Sequence, residues 1–296
     1  MPELTPLRSG DGSFSLHSTR FGEGFHAADG ALREAHVSFV APAELRRFPA
    51  GSTLRVVEVA VGTGTNTAAL IAAAGTAGVE LDWWGLETDP EPLRIALAEP
   101  SFRRQWPAPV IARLGAWAGG PRLLWGDARR RLGELPEPLQ GSCDLVLLDA
   151  FSPRRCPELW TLDFLGRLAR LLSPRGRLVT YCAAAAVRSA LRDLGLHLAS
   201  VVPPGPATAG ERIPAGGRWS RGTVASPAPL PSSPWLGPLA AMERDHLASR
   251  AAVPYRDPSQ DATAGEILAA REREVRASTA ASGGSWRRRW GIGRGR

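Results

Sequence analysis

VVEVAVGTGTN, residues 56–66, decides how the rest of this chain is read. A β-branched apolar run leads into a turn holding Gly62 and Gly64, and an alanine-rich stretch follows. Missing Cβ atoms let a backbone turn sharply and let a ligand approach. The helix that follows such a turn offers unpaired N–H groups to that ligand. The dinucleotide fingerprint needs a third glycine, GxGxxG. Here Thr67 stands at that position, so that reading fails. A tight strand–helix turn without any ligand has the same spacing.

Further along, acids close the next two apolar runs. Glu87 ends WWGLE, where a carboxylate can accept both hydroxyls of a ribose. Asp127 follows LLWG, where a carboxylate can receive an adenine amino group while Ala128 supplies a backbone N–H. A lone acid at either place is usually a cap. Three features at three successive strand ends point to an adenosine-bearing ligand.

The surrounding pattern repeats strand, turn and helix. Strands are expected at residues 54–60, 81–86, 122–125, 144–148, 177–181, 197–202 and 222–225. Helices are expected at 31–47, 67–74, around 90–98, 160–172 and 183–194, with 173–176 as a turn. Such alternation specifies an α/β layered fold with a mostly parallel, seven-stranded sheet. Residues 1–50 form an N-terminal extension, 51–226 the main domain, and 227–296 a Pro-rich, then helical, then Arg-rich tail expected to be partly disordered.

Composition sets the bounds. The 296 residues are 44% hydrophobic and 22% charged, as in ordinary globular proteins. No run of about 18 apolar residues is present, and the start lacks the apolar segment of a secretory signal. Three cysteines without CxxC spacing argue against a disulfide framework and a zinc site. A cytoplasmic protein without membrane attachment is expected. All 36 basic residues are arginine, consistent with a GC-rich coding bias. The net charge of +7 suggests a phosphate-bearing partner, but Arg287, Arg288, Arg289, Arg294 and Arg296 supply five of those charges.

The fourth strand carries the choice of reaction. DLVLL ends in Asp149 and opens DAFSP, which contains Phe151, Ser152 and Pro153. Ligands of open α/β sheets lie beyond the carboxyl ends of the strands. An acid there can orient an amine and accept its proton, and an aromatic ring can stack on a base. A strand-end cap and a packing ring are the plainer alternatives.

Glu87, Asp127 and the glycine turn together resemble the class I, Rossmann-like S-adenosylmethionine-dependent methyltransferases. LDAFSP, then PELWT, with GTGTN upstream, resembles the MnmC family and its single-domain relatives, often called MnmD. TRFGEGFHAADGALREAHVSFVAP, with Gly30 and Glu34, is similar to the family's N-terminal segment, and the likeness covers roughly residues 12–226. The resemblance implies methylation of the aminomethyl group on the wobble uridine, in the anticodon region of tRNA. It implies S-adenosylmethionine as cofactor, with neither flavin nor metal. Glu58, Gly62, Gly64, Asn66, Glu87, Asp127 and Ala128 fall at its cofactor positions, and Asp149 and Phe151 at its catalytic ones. Glu34, Ser152, Pro153 and Arg221 are candidate substrate contacts. The sequence departs from the family pattern at Ala60, where the turn's first glycine is expected, and at its neighbour Val61. It also keeps only Arg218 and Arg221 near residues 220–223, which leaves the Arg-rich tail as a second candidate for phosphate contact. Two other readings keep the fold: a small-molecule amine methyltransferase or aminopropyltransferase, and a non-catalytic RNA-binding protein.

Overall fold

The computed structural model describes residues 3–204 and 220–292. Arg218, Arg294 and Arg296 lie outside the described residues. The chain forms two units, Met1–Phe151 with Leu171–Tyr181, and Ser152–Arg170 with Cys182–Arg296.

In the first unit the run at the turn becomes strand β4 (Thr53–Val59), exposed at its first residue and buried from Val56 onward. It pairs in parallel with β5 (Glu80–Glu87) on one side and β7 (Cys143–Leu148) on the other. β6 (Leu123–Trp125) extends the β5 edge and β8 (Leu172–Thr180) the β7 edge, giving the order β8-β7-β4-β5-β6. The chain steps outward from β4 through β5 to β6, then returns to β7 on the opposite side. The strand order therefore reverses between β4 and β7, where open sheets of this kind form a ligand crevice. Valines and leucines fill β4 and β7 because a parallel strand is covered on both faces.

The residues expected as a turn at 173–176 loop out within β8. Cys143 pairs with Leu172 and Leu145 with Arg177, so the intervening residues form a register irregularity.

An antiparallel sheet of β1 (Leu4–Arg8), β2 (Phe14–Ser18) and β3 (Glu23–Gly24) precedes the parallel strands and has no counterpart among the expected elements. Helix α1 (Ala31–Glu34) continues through a π-helical stretch (Ala35–Val40) to Ala43 and stops where Glu44 adopts φ 50°. The expected helix at 31–47 is thus a helix with a wide turn inside it. Asp11 ties this start down, because its carboxylate accepts the N–H groups of Ser13 and Arg33. Gly30, at φ 151°, leaves room for that carboxylate, which a Cβ would overlap. Helix α2 (Thr65–Ala77) follows the glycine turn and is closed by Gly78 at φ 70°. Helices α3 (Glu91–Ala98) and α4 (Ala108–Ala118) separate β5 from β6. No helix is expected at α4, whose start carries Pro107 and Pro109, yet proline suits a first helical turn. Helix α5 (Ala128–Arg131) follows β6.

The second unit carries α6 (Leu162–Leu171), most of it in this unit, α7 (Ala185–Asp193), and antiparallel β9 (His197–Val201) and β10 (Thr223–Ser226). A short β11 (Leu236–Gly237) pairs with β9 and was not expected. Strands β4 to β10 correspond to the seven expected ones. Arg188 on α7 is 1% exposed and meets Glu243 of α8 (Ala241–Leu247) at 2.8 Å. Ser200, Ser220 and Thr223 satisfy the remaining polar atoms of that pair, which makes burial of two charges tolerable. Helix α9 (Ala264–Ala277) opens with a capping box between Thr263 and Glu266. The arginine-rich stretch, expected as a partly disordered tail, forms helix α10 (Gly283–Arg289). Trp286 anchors it, 2% exposed, donating to the Met242 carbonyl and stacking on His246 at 3.8 Å. Among the described residues no helix is long and apolar enough to cross a membrane.

Candidate active site

At the reversal between β4 and β7 the backbone is left-handed at Ala60 (φ 62°), Gly62 (φ 56°) and Gly64 (φ 77°). An L-residue in that region is disfavoured by roughly 1–2 kcal/mol. Ala60 therefore carries strain that a glycine would not. Its N–H donates to the Leu86 carbonyl, which holds it there. The two glycines serve different purposes. A Cβ on Gly64 would lie 2.8 Å from a Leu93 methyl group, so its absence lets α2 pack on α3. A Cβ on Gly62 would press on the Phe25 ring at 3.2 Å.

Glu87, at the end of β5, is 7% exposed and holds the turn from below. It accepts the N–H groups of Gly62 (2.8 Å), Thr88 (2.6 Å) and Asp89 (3.0 Å). Burial raises its proton affinity in spite of those bonds. Asp127 caps α5 by accepting the Arg129 N–H and pairs with the Arg129 guanidinium at 2.8 Å. Ala128 is the first residue of that helix.

Glu58 is fully buried. One of its oxygens accepts from Thr67 Oγ1 and Trp83 Nε1, both at 2.8 Å. The other oxygen has no hydrogen-bond partner among the described residues. Burial pushes its pKa up to about 7. Asn66, in the first turn of α2, donates from Nδ2 to Asp149 at 2.6 Å, while its own buried Oδ1 has no partner among the described residues. Burial, followed by the charge of Glu34, raises Asp149 well above the usual carboxylate range, and the Asn66 bond works against both. Glu34 itself accepts the Ala27 N–H at 2.6 Å.

Phe151 lies two residues beyond Asp149. Its ring stacks on Phe21 at 4.2 Å and meets Phe25 edge-on at 5.0 Å. The Ala150 carbonyl between them accepts from the Tyr181 hydroxyl at 2.9 Å. His26 links the same segment to the turn, with Nδ1 2.8 Å from Ser15 Oγ and Nε2 3.4 Å from Thr63 Oγ1. Burial lowers its pKa to about 4, so it is neutral at physiological pH. The sequence does not single out Phe21, Phe25 and His26 individually. Only the aromatic-rich run TRFGEGFH hinted at them, since single aromatic residues carry no period that assigns them to a site.

Glu34, Glu58, Gly62, Gly64, Asn66, Glu87, Asp127, Ala128, Asp149 and Phe151 all belong to the first unit. Ser152, Pro153 and Arg221 belong to the second. There the Ser152 carbonyl accepts the N–H groups of Arg155 and Cys156, and the Arg221 N–H donates to Val201. Among the described residues no group of three His, Cys, Asp or Glu side chains is placed to hold a metal ion.

Residues 116–207 match the profile of a family described as S-adenosyl-L-methionine-dependent methyltransferase. The chain is similar to the tRNA 5-methylaminomethyl-2-thiouridine biosynthesis bifunctional protein MnmC of Azoarcus sp., 32% identical over 286 residues that cover 90% of this chain and 41% of the relative. It is similar also to MnmC of Aeromonas hydrophila, 34% identical over 62% of this chain and 31% of the relative. The chain thus spans well under half the length of these curated relatives. The crystal structure of MNMC2 from Aquifex aeolicus superimposes with a TM-score of 0.72 at 27% identity, covering 94% of this chain and 86% of that one. The fold is that of the class I S-adenosylmethionine-dependent methyltransferases, and the resemblance to the MnmC family read from the sequence is borne out.

Proposed function

We propose that this chain, MnmC-like in sequence and in fold, methylates the aminomethyl group of the tRNA wobble uridine, converting nm5(s2)U to mnm5(s2)U. The observation that carries this reading is Asp149 beside Phe151 at the reversal of the sheet: a carboxyl of raised proton affinity next to an aromatic face.

S-Adenosylmethionine, when bound, supplies an electrophilic methyl group. The residues present suit it. The unpartnered oxygens of Glu58 and Asn66 beside the turn are acceptors that an ammonium group would satisfy. Glu87 and Asp127 are the candidates for ribose and adenine, although each already accepts protein N–H groups. Asp149 takes the proton that the substrate amine must shed before its lone pair can form the new N–C bond. A carboxyl with raised proton affinity is a better acceptor for that proton than an ordinary one. Phe151, stacked on Phe21 in this state, is the candidate aromatic face for the uracil ring. Ser152, Pro153 and Arg221 remain candidate substrate contacts of the second unit, and the exposed Arg287 and Arg288 on α10 are candidates for tRNA phosphates. A tRNA substrate supports a cytoplasmic setting for the reaction.

Glu34 and Asp149 are close enough to interact electrostatically, and a pair of carboxyls facing an amine would equally suit a small polyamine. Turnover assays with nm5U-containing tRNA and with polyamines separate the two readings. Methyl incorporation into tRNA alone, with loss of mnm5U and gain of nm5U in cells lacking the gene, is the expected result. Transfer to the polyamine alone would overturn it.

A further inference from the structure

Three half-exposed phenylalanines meet at the mouth of the crevice, but they are held very differently. Phe25 is fixed, because its N–H donates to Leu16 at 2.8 Å and its ring lies over Gly62. Phe151 is fixed by the end of β7 and by the Tyr181 hydroxyl on the neighbouring carbonyl. Phe21 rides on the short turn between β2 and β3, in front of a two-residue strand. That turn is closed by the Gly22 N–H to Ser18 and by a longer Phe21 N–H contact to the Ser18 hydroxyl at 3.3 Å. The Phe21 ring covers Phe151 at 4.2 Å and 19°, a stack with no room for a third ring. The Arg20 guanidinium lies over Phe21 at 5.2 Å, exposed to solvent.

We propose that Phe21 is the movable jaw of a clamp whose fixed face is Phe151, opening to take an unpaired nucleobase between the rings while Arg20 neutralises the adjoining phosphate. The inference rests on the RNA-methylation reading above and names a base-holding element of that site. An aromatic face accepts any base by stacking, and a cation beside it tracks the backbone. In the closed state Phe151 is shielded from water by Phe21. The base replaces that contact with two stacked faces, so little apolar surface is newly exposed when the jaw opens.

The test is fluorescence anisotropy of a labelled anticodon stem–loop with uridine at the wobble position, using the full chain. Phe21→Ala should weaken binding by about 10- to 100-fold, the loss of one base–aromatic stack. Phe21→Tyr, which keeps the ring, should stay within about threefold of the parent. Arg20→Ala should weaken binding and lower the salt slope by about one. Calorimetric affinity for S-adenosylhomocysteine should be the same in all variants, which shows that the fold and cofactor crevice survive. Unchanged stem–loop affinity in Phe21→Ala, or equal weakening by Phe21→Tyr, would overturn the clamp. Because the readout is binding, failure of wobble-uridine methylation with an intact Phe21 effect refutes the proposed reaction and leaves the clamp standing. Normal methylation without a Phe21 effect does the reverse.

Discussion

Asn66 and Asp149 are 83 positions apart in the chain and 2.6 Å apart in space, the amide nitrogen donating to the carboxylate. The bond stabilises the ionised form of Asp149 against burial and against Glu34, both of which favour the protonated form. Asn66→Ala should therefore raise the proton affinity of Asp149 further. If Asp149 accepts the substrate's proton, the acidic limb of the kcat/KM profile moves to higher pH, by roughly one unit. Asp149→Asn should lower turnover about 10²- to 10⁴-fold while affinity for S-adenosylhomocysteine is kept. A pH–rate series with calorimetry checks both, and an unmoved limb in Asn66→Ala would remove Asp149 from the role of base.

Ala60 holds a left-handed backbone that glycine adopts at no steric cost. Ala60→Gly should stabilise the protein by about 1 kcal/mol, the relief of strain less the greater freedom of glycine in the unfolded chain. For a chain of this size that is a rise in Tm of about 2–4 °C, read by calorimetry. A lower Tm would show that the turn is not strained.

Glu58 is fully buried with a pKa of about 7 in the fold, against an ordinary value of 4.5. The folded state binds the proton more tightly, so the contribution of Glu58 favours folding most below pH 4.5. It declines as pH rises toward 7 and levels off above it. The fall amounts to about 3 kcal/mol. Glu58→Gln keeps an acceptor for Thr67 and Trp83 but does not titrate. Urea midpoints across this window should fall with pH in the parent and stay flatter in the variant.

Arg289 pairs with Asp245 at 2.8 Å, whereas Arg287 and Arg288 point to solvent on α10. Arg287→Glu with Arg288→Glu should lower tRNA affinity and reduce the salt slope by about two, with little change in Tm. Trp286→Ala should lower Tm, because the indole is buried against Met242 and His246. An identical salt slope in the double variant would take the tail out of tRNA binding.

The strand–turn–helix at residues 56–66 was legible because its signals are local. A parallel strand needs a continuous apolar run, and an abrupt turn needs glycine, so β4, β5, β7 and their closing acids stand out along one line of text. The same locality explains what the sequence hides. The strands of the N-terminal sheet are too short to show a period, and α4 hides behind its prolines. The stretch at 283–289 looks like a solvated basic tail because its single anchor, Trp286, is one residue among arginines.

What the sequence alone determined is the class of fold and the ends of the strands where chemistry can occur. Only the tertiary structure decided what each residue does there. It turned Gly64 into a packing device, gave Ala60 its strained conformation, and set Phe21 on Phe151. It also raised the proton affinity of Asp149 by burying it near Glu34. The physical reason is range. Backbone preferences and periodicity act over a few residues, whereas burial, stacking and charge act between side chains that only the finished sheet brings together.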